Sequence, residues 1–522
     1  MYTSRRQFVK IAGGGILGWG LMPLLPGLSE WRLMGDVSGF PRATPASQGV
    51  TSQSIRAFLT AANASGISWH SFMLLRHGHV VAEGWWKPYE PGFIHSLYSL
   101  SKSFTSTAIG LLVKEGKLDV HTKVASFFPH DLSAAPGEHL QEMTVRSLLT
   151  MNTGHAQDTL PAMRASKESW VRTYLAQPVE YAPGTHFLYN TGNTYMLGAI
   201  VYQLTGQTLE QYLAPRLFQP LGITGYDWET SPQGLNVAGY GLRIKTEDIA
   251  KLGQLYLQKG RWNGASILTE SWVEEATSAQ TTSQVNNGDW SQGYGYQFWR
   301  CTHNFYRGDG AFGQFCIVMP EHDAVLAVTG QSPDMQKSMN IIWDTLLPGM
   351  KEGTLPEDQE GLMELKKELG VLGLPVAKGN VRSSLSSRYA SKKWTMTGNS
   401  LGIDSLEFAF SDKGCKVTAV AGGKTSVLDF GWERWTLNDR REMYMFGVKE
   451  LFPMSSRMAG TATWVDDHTL QLNVRMVEAI FGDKVTCVFD ENKLTIVFLN
   501  SVAETATKKT DDPRMGLEGK MG

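Results

Sequence analysis

The spacing of apolar residues changes along this chain, and the change restricts the possible fold more than any other feature. From Thr144 to Thr277 apolar residues recur mostly at helical spacing, whereas from Ser405 to Leu499 they alternate with polar residues. A helical period builds one apolar face, and a period of two builds a strand with one buried side. The sequence therefore predicts a helix-rich body followed by antiparallel strands arranged as a meander, a closed sheet or a curved sheet.

Short strand-like segments flank the helical region on both sides. Ser71–Trp86 reads as two strands joined at His77-Gly78, and Ser99–Lys114 reads as a helix. Three further strands are expected at Gly293–Arg300, Phe312–Pro320 and Ala324–Thr329, before a helix at Met335–Leu346. Strands from both ends with helices between them predict an α/β (α+β) domain, in which an antiparallel sheet is flanked by helices and a helical subdomain is inserted.

The length of 522 residues suggests two or three domains. Composition shifts place the boundaries. We expect a signal or anchor at residues 1–28, a first domain at 44–347, a linker with a short helix at 348–378, a separate β-rich accessory domain at 379–505 and a flexible tail at 506–522.

Charge and cysteine content exclude several classes of protein. A formal charge of -2 without long basic runs gives no footprint for nucleic acid. The four cysteines, Cys301, Cys316, Cys415 and Cys487, show no metal-type spacing. We expect neither a metal nor an organic cofactor.

The N-terminus carries an export-like pattern. Ser4-Arg5-Arg6-Gln7-Phe8-Val9-Lys10 precedes a weakly apolar stretch from Ile11 to Leu25. The pattern resembles a twin-arginine (Tat) signal, which implies export of a folded protein to the periplasm or another extracytoplasmic space. No clear A-x-A site follows, so the segment is either cleaved or retained as a membrane anchor. We expect no other contact with a membrane.

Ser99-Leu100-Ser101-Lys102 is the only S-x-x-K in the chain. Residues three apart at the start of a helix share a face, so the Lys102 amine can reach the Ser99 hydroxyl. Lysine has an ordinary pKa of about 10.4, and burial would have to lower it by about three units for a base at neutral pH. From these residues alone, Lys102 is either a proton acceptor or a solvated helix residue.

Several motifs agree in order with one family. They are SLYSLSKSFTSTAIGLL, EGKLDVHTKV, SLLTMNTGH, APGTHFLYNTGNTYMLGAIV, QPLGIT, AGYGLRIKTEDIAKLGQLYLQKGRWNG and RGDGAFGQFCIV. The region from Thr44 to Leu347 resembles the serine β-lactamase-related hydrolases, which include class C β-lactamases, D-alanyl-D-alanine peptidases, family VIII esterases and nylon-oligomer hydrolases. The resemblance implies a β-lactamase/transpeptidase-like fold and an acyl-enzyme mechanism.

The resemblance assigns catalytic roles to three residues. Ser99 matches the nucleophile and Lys102 its partner. Tyr189 matches the tyrosine of the family's Tyr-x-Asn motif and would relay protons as a phenol or phenolate. Threonine stands at 191 where asparagine is usual, and Asn190 or Asn193 could substitute for its amide.

The third motif of the family is usually Lys-Thr-Gly, and Asp309-Gly310-Ala311 is the best counterpart here. The lysine binds the carboxylate of penicillins or peptide termini, whereas an aspartate would repel it. Arg307 could restore a positive charge in a different register. The N–H of Ala311 or Phe312 could pair with that of Ser99 as an oxyanion hole.

Together these features predict an exported serine hydrolase that cleaves a small ester or amide, acting as an esterase or amidase. A D-Ala peptidase or β-lactamase is the alternative within the same class. A non-catalytic penicillin-binding-like sensor, or a module that binds cell wall or glycan, is the alternative of another class. The sequence names no protein partner.

Overall fold

The computed structural model describes residues 39–132, 135–283, 288–506 and 511–522. The expected signal at residues 1–28 lies outside the described residues. Within the described ranges, no helix has both the length and the apolar character needed to cross a membrane.

The N-terminal domain contains eleven named strands. These are β1 Ser68–Arg76, β2 His79–Trp85, β3 His95–Ser96, β4 Asp227–Trp228, β5 Leu242–Ile244, β6 Arg261–Trp262, β7 Ala265–Ser266, β8 Trp299–Arg300, β9 Tyr306–Gly310, β10 Gln314–Met319 and β11 Ala324–Gln331. Its helices are α1 Ser52–Ala64, α2 Ser101–Lys114, α3 Glu138–Glu142, α4 Val145–Leu149, α5 Leu160–Ala165, α6 Trp170–Leu175, α7 Thr191–Thr205, α8 Leu209–Leu213, α9 Thr246–Leu257, α10 Glu270–Thr277 and α11 Met335–Thr345.

Six of these strands form the main sheet in the order β2-β1-β11-β10-β9-β8. Every neighbouring pair is antiparallel. The sheet therefore combines the first two strands of the domain with its last four, and the helices between them form the expected subdomain. Of the expected strand at Gly293–Arg300, only Trp299–Arg300 belongs to the sheet.

Helices cover both faces of this sheet. Apolar side chains of α1 and α11 pack with one face, and those of α2, α7 and α9 form the larger core on the other. Gly253 lets α9 approach closely, because a Cβ there would lie 2.5 Å from Val325 Cγ1 and 2.9 Å from Cys316 Sγ. In the same core, apolar side chains of α2, the helix that follows Ser99, pack against the sheet.

The C-terminal region contributes α12 Gln359–Gly370, α13 Ser386–Tyr389 and α14 Ser501–Thr505, with ten further strands. The strands are β12 Lys393–Met396, β13 Ile403–Phe410, β14 Gly414–Ala421, β15 Lys424–Trp432, β16 Thr436–Glu442, β17 Ser456–Trp464, β18 Thr469–Met476, β19 Gly482–Asp490, β20 Lys493–Asn500 and β21 Leu517–Met521.

These strands form a distinct domain whose sheet closes on itself. The order is β15-β14-β13-β12-β21-β20-β19-β18-β17-β16, and a short parallel pairing of β15 with β17 joins the two ends. The interior is filled by aromatic and aliphatic side chains, among them Trp394, Phe408, Trp464 and Phe489. The alternation seen in the sequence is thus the alternation between interior and exterior.

The expectation of a flexible tail at 506–522 is wrong for its last part. Residues Leu517–Met521 form β21, which lies between β12 and β20. Arg514 is buried and donates hydrogen bonds of 2.9 Å and 2.7 Å to the two carboxylate oxygens of Asp483. A polar sequence therefore belongs to the core because its charges are paired and its backbone completes the sheet.

The stretch between the domains is also more ordered than a linker. Its helix α12 buries Leu362 and Leu365, and Arg56 of α1 pairs with Glu368 at 2.9 Å. Val477 and Ala459 of the C-terminal domain share a core cluster with the main sheet. The two domains are therefore packed as one compact unit.

Candidate active site

Ser99 lies in a one-turn 3-10 helix, Tyr98–Leu100, directly before α2. Tyr98 adopts a left-handed conformation with φ 49°, which is strained for a bulky residue and is typical of functional sites. Ser101 Oγ donates a 2.7 Å hydrogen bond to the Tyr98 carbonyl, and the Leu97 N–H donates a 2.9 Å bond to Leu242 O. These bonds hold the partly exposed Ser99 side chain at the turn.

Lys102 is 1% exposed, and its Nζ lies 3.0 Å from Ser99 Oγ. Nζ also lies 2.8 Å from Gly239 O and 3.4 Å from Thr191 Oγ1. A neutral amine has two N–H donors and one lone pair. Donation to Gly239 O and Thr191 Oγ1 leaves the lone pair for the Ser99 hydroxyl.

Burial lowers the pKa of Lys102 to about 7, although the carboxylates of Asp158 and Asp309 act in the opposite direction. Desolvation disfavours the ammonium form more than these carboxylates favour it. The amine is therefore partly neutral at neutral pH, which a general base for Ser99 requires.

Tyr189 lies over the amine, with its ring centroid 4.9 Å from Lys102 Nζ. Burial raises the pKa of its phenol above the ordinary value, and a hydrogen bond with Ser99 opposes that rise. The ring stacks on Trp299 at 5.6 Å. At neutral pH the resting side chain is therefore a phenol.

The residues after Tyr189 start helix α7 and are buried. The side-chain Oδ1 of Asn190 accepts hydrogen bonds from Gly192 N at 3.0 Å and Thr159 Oγ1 at 2.9 Å. Asn193 is fully buried and accepts a 2.8 Å bond from Tyr174 OH. The amide oxygens of both residues are hydrogen-bonded within the fold, whereas the buried Asn190 Nδ2 has no hydrogen-bond partner among the described residues. That Asn190 or Asn193 replaces the usual asparagine stays a prediction.

Two residues of the site were missed by sequence reasoning. Gly239 is required because a Cβ there would lie 2.7 Å from Thr191 Cγ2 and 3.3 Å from Lys102 Nζ. Asp158 Oδ1 accepts hydrogen bonds from the N–H groups of Leu160 and Thr191, both at 3.0 Å. The glycines of AGYG were a signal for Gly239, but only tertiary packing brings Asp158 near Lys102.

Strand β9 runs directly against the nucleophile turn. A Cβ on Gly310 would lie 2.1 Å from Leu97 O, and one on Gly308 would lie 2.2 Å from Leu100 Cδ1. Ala311 is exposed just beyond the strand. Phe312 has φ 67°, and its ring lies 5.5 Å from that of Tyr98. The structure therefore places the Asp309-Gly310-Ala311 segment beside Ser99.

Asp309 is not a free charge. Arg307 Nε donates a 2.8 Å hydrogen bond to Asp309 Oδ2, and their side chains are 0% and 8% exposed. Burial raises the pKa of Asp309, while the Arg307 guanidinium opposes the rise. The guanidinium also bonds to Arg300 O at 3.1 Å and lies over Trp290. Neither Arg307 nor Asp309 presents an uncompensated charge to a substrate.

Two histidines near the motifs take no part in this constellation. His95 Nε2 lies 2.9 Å from His70 Nδ1, and His155 Nδ1 lies 2.9 Å from Thr153 Oγ1. Burial lowers the pKa of both His95 and His155 to about 4. They are neutral, buried side chains with partners inside the fold.

The chain is similar in sequence to known proteins. The family described as Beta-lactamase matches residues 52–346. A 6-aminohexanoate-dimer hydrolase of Paenarthrobacter ureafaciens is 25% identical over 51% of this chain and 73% of its own length. A β-lactamase of Escherichia coli is 24% identical over 39% of this chain and 57% of its own.

The chain is also similar to solved structures. A penicillin-binding protein from Bacillus halodurans is 19% identical, with a TM-score of 0.44 over 55% of this chain and 98% of that one. The hydrolase EstCE1, described as having promiscuous acyltransferase activity, is 15% identical, with a TM-score of 0.46 over 63% of this chain and all of its own.

Proposed function

Because this chain belongs to the β-lactamase family, matched at residues 52–346, we propose that it is an exported serine hydrolase that cleaves an ester or amide through an acyl-enzyme on Ser99. One observation carries the proposal. The buried amine of Lys102, with a pKa of about 7, lies 3.0 Å from the Ser99 hydroxyl. A hydroxyl paired with a neutral amine is an activated nucleophile.

In acylation, neutral Lys102 takes the proton of Ser99 as Oγ attacks the carbonyl carbon. The oxyanion is stabilised by the N–H of Ser99 together with that of Ala311 or Phe312. The Tyr189 phenol donates its proton to the leaving oxygen or nitrogen and regains one from the Lys102 ammonium. The leaving group departs as a neutral alcohol or amine, and the acyl group stays on Ser99.

Deacylation repeats these transfers with water. Lys102 takes a proton from the attacking water, and the Tyr189 phenol protonates Ser99 Oγ as the acyl–oxygen bond breaks. The acid is released and both side chains return to their starting protonation states.

The charges near Ser99 favour a substrate without a carboxylate at the reacting end. Asp158 and Asp309 both lie close enough to raise the pKa of Lys102, and Arg307 is consumed by its pairing with Asp309. Where the family's Lys-Thr-Gly motif has a lysine, this chain has Asp309 paired with Arg307, so the segment supplies no unpaired cation to bind a substrate carboxylate. We therefore place an esterase or amidase ahead of a β-lactamase or D-Ala peptidase.

A panel of probes tests the chemistry. Purified protein is exposed to a fluorophosphonate, short-chain p-nitrophenyl esters, a D-amino-acid amide and a chromogenic cephalosporin. We expect labelling and ester or amide turnover, both lost in Ser99→Ala. The matched control is Ser106→Ala, which removes a buried α2 hydroxyl that has no hydrogen-bond partner among the described residues.

The outcomes separate the hypotheses. Labelling that survives in Ser99→Ala would refute the nucleophile. Stable labelling without turnover of any substrate would favour a sensor. Faster hydrolysis of the cephalosporin than of the esters would contradict the preference for an esterase or amidase over a β-lactamase.

Export is proposed from Arg5 and Arg6 in SRRQFVK and the apolar stretch that follows. Cell fractionation of the full chain should find it outside the cytoplasm, either released or held by an uncleaved anchor. The double change Arg5→Lys and Arg6→Lys keeps the charge and should retain the protein in the cytoplasm. Equal distribution of both proteins would refute the twin-arginine route.

A further inference from the structure

A fully buried acid lies outside the constellation around Ser99. Glu478 occupies the turn between β18 and β19 and is 0% exposed. Its Oε1 accepts hydrogen bonds from Arg441 Nη2 at 2.7 Å and Arg457 Nη1 at 2.6 Å. A buried carboxylate is tolerated only with such partners, so this turn has one well-defined arrangement.

The pairing continues across the boundary between the domains. Arg441 Nη1 lies 3.3 Å from Asp227 Oδ2, and Asp227 pairs with Arg243 through two contacts of 2.7 Å. Arg243 Nη1 in turn donates a 2.9 Å bond to a backbone carbonyl of the C-terminal domain, at residue 455. We call Asp227, Arg243, Arg441, Arg457 and Glu478 the interdomain ion cluster.

The cluster lies directly behind the nucleophile segment. The Ser96 N–H donates a 3.0 Å hydrogen bond to the Glu478 carbonyl. On the other side, Ser96 pairs with Arg243 in the β3–β5 ladder. Ser96 therefore contacts two members of the interdomain ion cluster, Glu478 and Arg243. Ser96 lies three positions before Ser99.

The turn that follows needs such support. Tyr98 is held with φ 49° between Ser96 and the nucleophile. Strained backbone persists only where the surrounding structure over-determines it. A loosened β3 would let Tyr98 relax and move Ser99 Oγ away from Lys102 Nζ.

We propose that Glu478 is a positioning residue for the acyl transfer, through which the C-terminal domain holds β3 and fixes Ser99 against Lys102. This inference rests on the proposed function. The C-terminal domain is then part of the catalytic unit, in addition to any binding role of its own.

The test is Glu478→Gln in the full chain, assayed with the best ester at a temperature where circular dichroism shows it folded. Misplacement of a nucleophile lowers the rate of the chemical step. We expect kcat to fall by about tenfold, with KM within about twofold of the wild type. The midpoint of the pH profile should not move, because none of the residues around Lys102 changes. A loss of folded protein alone would also lower the apparent kcat without changing KM, so kcat is calculated per reactive site, counted by complete labelling with the fluorophosphonate.

Two further variants make the result decisive. Asp412→Asn makes the same charge change in the same domain, at an exposed pair with Arg382, and should leave kcat unchanged. Arg441→Lys keeps the charge but loses the two-point contact with Glu478, and should lower kcat to a lesser extent. If Glu478→Gln does not fold, Arg441→Lys decides the question.

Failure of the inference and failure of the proposed function look different. An active wild type together with a folded variant of equal kcat overturns the positioning role alone. A wild type that neither turns over a substrate nor reacts with the fluorophosphonate overturns the proposed function, and the positioning role with it.

Discussion

Arg307 and Asp309 neutralise one another inside the strand that faces the nucleophile, at 2.8 Å and almost without exposure. Asp309→Asn would leave a buried guanidinium without its counter-charge. We expect the free energy of unfolding to fall by about 3–5 kcal/mol, as measured by urea denaturation. Asp323→Asn, at an exposed pair with His77, should cost about 1 kcal/mol or less. An equal loss of unfolding free energy in the two variants would contradict the expectation that the fold depends more on the buried pair than on the exposed one.

The buried amine of Lys102 sets the pH dependence of acylation. Its pKa is about 7, and only the neutral amine accepts the Ser99 proton. The rate of fluorophosphonate labelling should therefore rise with pH and level off above the pKa, with a midpoint near 7. A profile that is flat from about pH 5 to pH 9 would contradict a basic role for this lysine.

The same amine lowers the stability of the fold. Its pKa is lower in the folded state than the ordinary 10.5, so between about pH 7 and pH 10.5 the unfolded chain binds more protons and stability from this group rises with pH. Lys102→Met should remove this dependence and raise the free energy of unfolding at pH 7 by about 1–2 kcal/mol, while abolishing activity. Thermal unfolding of both proteins at two pH values measures the change in stability and the change in its pH dependence. A less stable variant at pH 7 would indicate that the bonds to Gly239 and Thr191 outweigh desolvation.

The proposed mechanism uses Tyr189 as a proton donor, and burial, which raises the pKa of its phenol, keeps the side chain protonated. Tyr189→Phe keeps the stacking on Trp299 and removes only the phenol hydroxyl. We expect kcat to fall by about 10²–10³-fold, the range of general acid catalysis. Tyr294→Phe, in the same aromatic cluster, is the control and should retain kcat within about threefold. Similar losses in the two variants would assign the effect to packing and not to proton transfer.

Gly239 leaves no room for a side chain beside the catalytic amine. In Gly239→Ala the new Cβ would meet Thr191 Cγ2 at 2.7 Å, so Thr191 and the adjacent amine have to shift. We expect a drop of about 10-fold or more in labelling rate, with the protein still folded by circular dichroism. Gly92→Ala, where no atom lies within 4 Å of the new Cβ, should react like the wild type.

Elements with strong local signals could be predicted from the sequence. The helix expected at Ser99–Lys114 is α2, preceded by the turn that carries Ser99. The strand Thr469–Met476 has the expected bounds, because every second residue is buried. The order of the motifs was enough to select Ser99, Lys102 and Tyr189, which the structure brings together.

Features that depend on distant partners could not be predicted in this way. Strand β15 is exposed along most of its first half, so it lacks a clear alternation. The segment containing Arg514 reads as a tail because Asp483, the buried carboxylate that Arg514 binds, lies elsewhere in the chain. The contact between Glu478 and Ser96 joins two domains and leaves no trace in local composition. In each case the deciding contacts are remote in sequence.

The position of β21 has a consequence for the order in which the molecule is built. This strand pairs Met521 with Trp394 on one side and Leu517 with Ile496 on the other, so the C-terminal sheet cannot close until the ribosome has synthesised residues 517–521. Non-local pairing of this kind slows folding. Because the same domain supports the segment of Ser99, Ser99 should reach its position beside Lys102 late, after residues 517–521 have been made and β21 has docked.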